Sequence, residues 1–90
     1  MKASKRPEMT PPTRPAVAMA FGEVLRSARK QKGGLSQEQL AELANMDPAY
    51  PSLLERGLRS PTLFMVIHIA VALGSRPGTI VDDVMARLPS

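Results

Sequence analysis

The chain has no cysteine, one histidine and three aromatic residues among its 90 residues, and these shortages exclude several classes of function. Without cysteine there is no disulfide framework, no thiolate zinc site and no cysteine nucleophile. His68 alone cannot assemble a histidine-based metal or catalytic site. The few aromatic side chains also argue against a module that binds single-stranded nucleic acid by stacking bases. We therefore expect a protein that is not an enzyme and needs no cofactor or metal.

Long hydrophobic runs are also missing. The longest, Leu63 to Leu73, has eleven residues and includes His68, whereas a membrane-spanning helix needs about 20 apolar residues. The N-terminus does not have the form of a secretory signal, because its basic start is followed by proline and polar residues instead of an apolar segment. We therefore expect a cytoplasmic protein with no membrane partner.

The positive charge lies mostly at the N-terminus. Of the net charge of +4, residues 1–18 contribute four basic and one acidic residue, a net +3, which leaves +1 for residues 19–90. The same N-terminal segment holds four of the nine prolines and has no apolar periodicity. This composition predicts a disordered, Pro-rich basic arm over 1–18 and one folded domain over 19–90. Because Met19 is itself a candidate translation start, the arm is either a functional element or an incidental extension.

From Met19 onward the apolar residues recur at spacings of three and four, which predicts a compact all-α domain of five helices. The first helix ends at Gly33 and buries one face, made of Phe21, Val24, Leu25 and Ala28. The second begins at Gln37, with Ser36 as its N-cap, Gln39 completing a capping box, and Leu35 and Leu40 spaced as a hydrophobic staple.

Three shorter helices complete the predicted domain. Asn45 suits a left-handed turn, after which a third helix starts at Asp47–Pro48 and runs to about Arg56, where Gly57 ends it. A fourth helix covers Leu63–Leu73 and is capped by Thr62 or Ser60. A fifth runs from about Pro77 to Leu88 and is expected to bury Ile80, Val81, Val84, Met85 and Leu88.

The second and third helices, joined by a short turn and followed by a basic loop, have the arrangement of a helix-turn-helix. Residues 35–63 resemble the lambda-repressor-like (Cro-type, XRE) helix-turn-helix family, and the resemblance extends over residues 21–84. The matching motifs are Leu35-Ser36-Gln37, Leu40-Ala41, Leu54-Glu55-Arg56-Gly57 and Pro61. The resemblance implies a sequence-specific transcriptional regulator of the repressor type, which binds double-stranded DNA in the nucleoid as a homodimer on a palindromic operator.

The resemblance also implies which residues hold the DNA backbone. Gln37 would bind a phosphate, helped by the exposed N–H groups of the second helix, and Arg56 and Arg59 would bind phosphates beside the third. The alternatives are an exposed Gln that only starts a helix and a solvated charged loop. Glu55 is expected to form a structural ion pair with Arg29 or, as a second candidate, Arg26.

The positions that match the family's base-reading face are poor in hydrogen-bonding groups. Only Tyr50 and Ser52 can donate or accept, so we expect modest sequence specificity per half-site. Pro51 stands where the family usually has Ile or Val, which predicts either a loosened first turn or a helix that begins only at Pro51. The full set of base-reading positions is Pro48, Ala49, Tyr50, Ser52 and Leu53.

The fourth helix is apolar almost all round, which indicates burial on both sides. Phe64, His68 and Val71 occupy the face that the family normally turns to solvent. We expect them to form a dimer or partner surface together with part of the fifth helix, unless the arm or the C-terminus covers them. This surface supports an alternative function, an antitoxin-like or other protein-interaction module with a protein partner and weak or non-specific DNA binding.

Overall fold

The structure is a computed structural model that describes residues 10–89. Over these residues the chain forms helices and turns without any strand, which confirms the all-α prediction. Residues 1–9, half of the predicted arm, lie outside the described part. The five helices are α1 (Arg14–Gln31), α2 (Gln37–Leu43), α3 (Tyr50–Glu55), α4 (Leu63–Ala72) and α5 (Pro77–Arg87).

Helix α1 starts earlier than the sequence predicts. It begins at Arg14 instead of near Met19, so the assignment of residues 14–18 to the arm is wrong. Thr13 is the N-cap, and its Oγ1 accepts a hydrogen bond from the Ala16 amide at 3.2 Å. Pro15 lies in the first turn, where the backbone N–H has no helical partner to lose. The proline that suggested disorder therefore stands at a position that favours helix formation.

The start of α2 confirms the predicted capping box. Ser36 Oγ accepts from the Gln39 amide at 3.0 Å, and the Ser36 amide donates to Gln39 Oε1 at 2.8 Å. The helix ends where expected, and Asn45 has a φ of 52°, the left-handed conformation that the turn requires.

Helix α3 begins at Tyr50, three residues later than Asp47. Residues 47–49 form a turn, in which Asp47 Oδ1 accepts from the Ala49 amide at 2.8 Å and the Asp47 carbonyl accepts from the Tyr50 amide at 3.0 Å. Pro51 then falls in the first turn of the helix and is buried. The start at Tyr50 is close to the predicted alternative of a helix that begins only at Pro51, and at this position the proline removes no helical hydrogen bond.

The ends of α4 and α5 follow the predicted signals, but the buried face of α5 is narrower than expected. Thr62, not Ser60, caps α4, through a 3.1 Å hydrogen bond from the Met65 amide to its Oγ1. On α5, Ile80 and Val84 are buried, whereas Val81 and Met85 are 44% and 55% exposed. Their assignment to the core of the monomer is wrong, because only one stripe of α5 faces the other helices.

The core lies between the first four helices and is closed by α5. Each of α1 to α4 contributes a side chain that is at most 2% exposed: Leu25, Leu40, Leu54 and Ile69. Burial of each such side chain stabilises the fold by about 1.5–3 kcal/mol. Helices α1 and α3 approach so closely that a Cβ atom on Gly22 would lie 2.5 Å from the Leu54 carbonyl oxygen. This contact places α3 directly against the middle of α1.

No single helix within residues 10–89 is long and apolar enough to span a membrane. Helices α4 and α5 reach the required length and composition only when taken together, and the chain bends by 113° between them.

Candidate nucleic-acid interface

The ion pair of Glu55 is the most buried polar feature of the helix-turn-helix. Arg29 Nε donates to Glu55 Oε2 at 2.7 Å and Arg29 Nη2 donates to Oε1 at 3.0 Å, while the side chains are 11% and 4% exposed. The structure thus places Arg29, and not the exposed Arg26, against Glu55. The hydrogen bond to Glu55 raises the pKa of Arg29, burial acts in the opposite direction, and the charge of Glu55 adds to the rise. The pair joins the end of α3 to the end of α1.

Arg29 also reaches the start of α2. Its Nη1 donates to the Leu35 carbonyl oxygen at 2.6 Å. A charged donor to a carbonyl is a strong hydrogen bond, and Leu35 immediately precedes the N-cap of α2. One guanidinium therefore holds both helices of the helix-turn-helix in place.

Gln37 is bonded to the same carboxylate. Its Nε2 donates to Glu55 Oε1 at 3.0 Å, and the side chain is half-buried. Sequence reasoning missed this contact because the two residues are 18 positions apart and belong to different helices. The bond uses one of the two amide hydrogens of Gln37, and the other forms no hydrogen bond within residues 10–89.

The two predicted loop arginines are exposed on either side of Gly57. Arg56 Nε makes only a long 3.4 Å contact to the Ser52 carbonyl oxygen, and within residues 10–89 neither Arg56 nor Arg59 forms a salt bridge. Gly57 has a φ of 72°, and a Cβ there would lie 2.9 Å from Met19 Cγ. The loop is therefore held against α1 with both guanidiniums free to meet an anion.

The predicted base-reading residues split into two groups. Pro48 and Ala49 are exposed in the turn before α3, and Ser52 and Leu53 are half-buried on the helix itself. Tyr50 is half-buried and packs against the hydrophobic core, so part of its side chain contributes to the fold. The exposed part of this face is poor in hydrogen-bonding groups, in keeping with the sequence.

A second exposed surface, the α4–α5 face, is apolar. Phe64 and Val71 are 69% and 66% exposed, and the described residues of the N- and C-terminal segments do not cover them. His68 stacks on Phe64 with 5.3 Å between ring centroids, and its Nε2 is hydrogen-bonded to the Ala44 carbonyl oxygen at the end of α2. We use the name α4–α5 face for the exposed large apolar side chains of the two helices, which are Leu63, Phe64, Ile67 and Val71 on α4 and Val81 and Met85 on α5.

No three histidine, aspartate or glutamate side chains in the described part of the chain lie close enough together to hold a metal ion.

The family model of helix-turn-helix proteins matches residues 25–80. This range includes α2, α3, the loop after α3 and all of α4, with the Glu55 network inside it. The chain therefore belongs to the helix-turn-helix family of DNA-binding transcriptional regulators of the XRE type, and the resemblance stated from its motifs is confirmed.

Individual relatives agree with this assignment. The chain is 35% identical over 66 residues to control protein C.BamHI of Bacillus amyloliquefaciens. The aligned region covers 73% of this chain and 82% of the relative. It is 32% identical over 68 residues to control protein C.MunI of a Mycoplasma species. That aligned region covers 76% of this chain and 92% of the relative. Both relatives are named as control proteins.

Two crystal structures of the clp gene regulator ClgR of Corynebacterium glutamicum have the same fold. One superposes with a TM-score of 0.76 at 28% identity, covering 88% of this chain and 97% of the other. The second gives a TM-score of 0.74 at 30% identity and covers 82% and 78%.

Proposed function

We propose that this protein is a sequence-specific transcriptional repressor that binds a palindromic operator in the nucleoid as a homodimer. The observation that carries the proposal is the grouping of Gln37, Arg56 and Arg59 around the end of α3. One neutral donor and two guanidiniums that form no salt bridge within residues 10–89 lie on elements that a buried ion pair holds together. Such a group matches the phosphates that line a DNA groove.

In this arrangement α3 lies in the major groove and the loop after it contacts the DNA backbone. Arg56 and Arg59 supply affinity that does not depend on sequence. Ala49 and Leu53 pack against thymine methyl groups, and Ser52 is the main hydrogen-bonding group. Because one half-site carries so little direct readout, the spacing of two half-sites and the shape of the DNA supply the rest of the specificity.

In this proposal the second protomer binds at the α4–α5 face. Six large apolar side chains are exposed there, including Phe64 at 69% and Leu63 at 72%. A two-fold interface uses the same patch on both copies, so one apolar face is sufficient for a dimer. The face is joined to the helix-turn-helix by the hydrogen bond from His68 to Ala44. This bond helps set the orientation of each reading helix with respect to the dimer axis.

A second candidate function uses the same face differently. In an antitoxin-like protein the exposed side chains of α4 and α5 would bind a protein partner, and DNA binding would be weak or non-specific. The observation that favours it is the apolar character of the α3 reading face, since Pro48 and Ala49 offer no side-chain hydrogen bonds to a base edge.

Selection of DNA from a random duplex library, followed by a salt titration on the selected sites, separates the two functions. A repressor enriches a palindrome with half-sites about one helical turn apart, and binds it about 10³-fold or more tighter than unrelated duplex. Ser52→Ala should change the selected sequence more than the affinity. Equal binding to every duplex with a steep salt dependence would reject sequence-specific repression and favour the second candidate.

A further inference from the structure

The carboxylate of Glu55 is shared between two partners that have different tasks. Oε2 accepts from Arg29 Nε at 2.7 Å, its one hydrogen bond within residues 10–89. Oε1 accepts both from Arg29 Nη2 and from Gln37 Nε2, each at 3.0 Å. The carboxylate that anchors α3 to α1 is thus also the direct partner of the proposed phosphate ligand on α2.

This contact determines which way the amide of Gln37 faces. An amide has one end that donates and one that accepts, and rotation by 180° exchanges them. An ionised carboxylate only accepts, so Nε2 must face Glu55. The second hydrogen of Nε2 then points away from Glu55, and the amide oxygen is on the opposite side of the group.

A DNA phosphate also only accepts hydrogen bonds, so it needs an N–H and is repelled by the amide oxygen. A Gln free to rotate would have to be ordered on binding, at a cost in side-chain entropy. Arg29 forms a salt bridge with the carboxylate and balances its charge, so the acid itself adds little net repulsion toward a phosphate. The network presents a donor that is oriented before DNA arrives.

We propose that Glu55 is a positioning residue for the DNA backbone, because it orients the Gln37 amide so that its remaining N–H meets a phosphate. The inference rests on the proposed DNA-binding function. It assigns Glu55 a task beyond holding the fold together, and it makes Gln37 a phosphate ligand only while the carboxylate is in place.

The test is the effect of Gln37→Ala on DNA affinity in two backgrounds. The first is the natural chain and the second is Arg29→Met/Glu55→Met, which replaces the buried pair by apolar side chains and leaves no unpaired charge. The probe is a mixed-sequence duplex of about 20 base pairs at low salt, because a phosphate contact does not depend on sequence. The matched control is Gln31→Ala, on the exposed last turn of α1.

In the natural background Gln37→Ala should weaken binding about tenfold per bound protomer, as expected for loss of one hydrogen bond to a charged group in each. In the double-methionine background the same change should weaken it less than about twofold. Since Gln37 is neutral, the slope of affinity against salt should stay unchanged. A loss that is equal in both backgrounds would overturn the inference and leave the proposed function standing. Failure of the natural chain to bind any duplex would overturn both.

A spectroscopic measurement on the natural chain keeps the test independent of how well the double variant folds. The sequence has only three Gln and one Asn, so an amide spectrum shows four side-chain NH₂ pairs. The Gln37 pair, assigned by its loss in Gln37→Ala, should exchange with water more slowly than the Gln31 pair. On addition of duplex one of its two protons should shift strongly. A Gln37 pair that behaves like the Gln31 pair in the free protein would show that Glu55 does not orient it.

Discussion

The proposed DNA-facing side of the molecule and the α4–α5 face differ in how their side chains are held. On the proposed DNA-facing side, three hydrogen bonds join Gln37 and Arg29 to Glu55, and Arg29 makes a fourth to the Leu35 carbonyl oxygen. The exposed arginines lie in a loop packed on α1. On the α4–α5 face, the large apolar side chains stay largely exposed, because no other described residue covers them. The hydrogen bonds of the first surface are complete within one chain, whereas the second surface is the one that we propose a second protomer covers.

The largest expected effect comes from breaking the polar network. Glu55→Ala should lower the free energy of unfolding by about 3–5 kcal/mol, because it leaves Arg29 as an unpaired charge in a mostly buried site. Urea denaturation followed by circular dichroism measures the change. Arg26→Ala, an exposed residue on the same helix, should alter stability by less than about 0.5 kcal/mol. If the two variants were equally stable, the pair would not be what joins α1 to α3.

The next effect tests whether the apolar face is an interface. Phe64→Asp should weaken the homodimer about 100-fold or more without unfolding the protomer, because this side chain is 69% exposed in the single chain. Sedimentation equilibrium gives the dissociation constant. Leu43→Asp is the matched control, since Leu43 is 54% exposed but lies on α2. A natural chain that stays monomeric at high micromolar concentration would reject the homodimer.

A third prediction concerns the close contact of α1 with α3. Gly22→Ala should destabilise the fold by about 1–3 kcal/mol, because the new Cβ would lie 2.5 Å and 2.7 Å from the carbonyl oxygens of Leu54 and Glu55. Gly78→Ala, in α5 with no atom within 4 Å of the new Cβ, should instead be neutral or stabilise by up to about 1 kcal/mol. Thermal unfolding compares the melting temperatures of the two variants. A Gly22→Ala protein as stable as the natural chain would show that α1 and α3 can move apart at little cost.

The smallest effect is expected at a single phosphate contact. Arg56→Ala should weaken binding to all duplexes by a similar factor. It should also make the slope of log affinity against log salt concentration shallower by about one per protomer. Fluorescence anisotropy at several salt concentrations measures both quantities. Arg76→Ala, at the exposed N-cap of α5, should leave them unchanged. A change in sequence preference without a change in slope would place Arg56 on a base edge instead of a phosphate.

Features that depend on neighbouring residues were predictable from the sequence. The capping box of Ser36 and Gln39 acts over three positions, and the left-handed Asn45 is a property of one residue and its turn. The same kind of reasoning fails at Pro15, which it assigns to a disordered arm, and at Pro51 it leaves two outcomes open. Proline disfavours a helix interior but is favoured in the first turn of a helix. The sequence alone does not distinguish the two cases, because they differ in how the segment packs against the rest of the fold.

The sequence by itself determined the five helices, most of their caps and the family to which the chain belongs, because these depend on spacing and on short motifs. Only the tertiary structure decided that Gln37 and Arg29 meet on one carboxylate, and that Val81 and Met85 belong to the surface instead of the core. The physical reason is that hydrogen bonds between residues far apart in the chain, and the width of a buried stripe, are set by how helices cross. Helix crossing is a property of the whole packed core and not of any one segment.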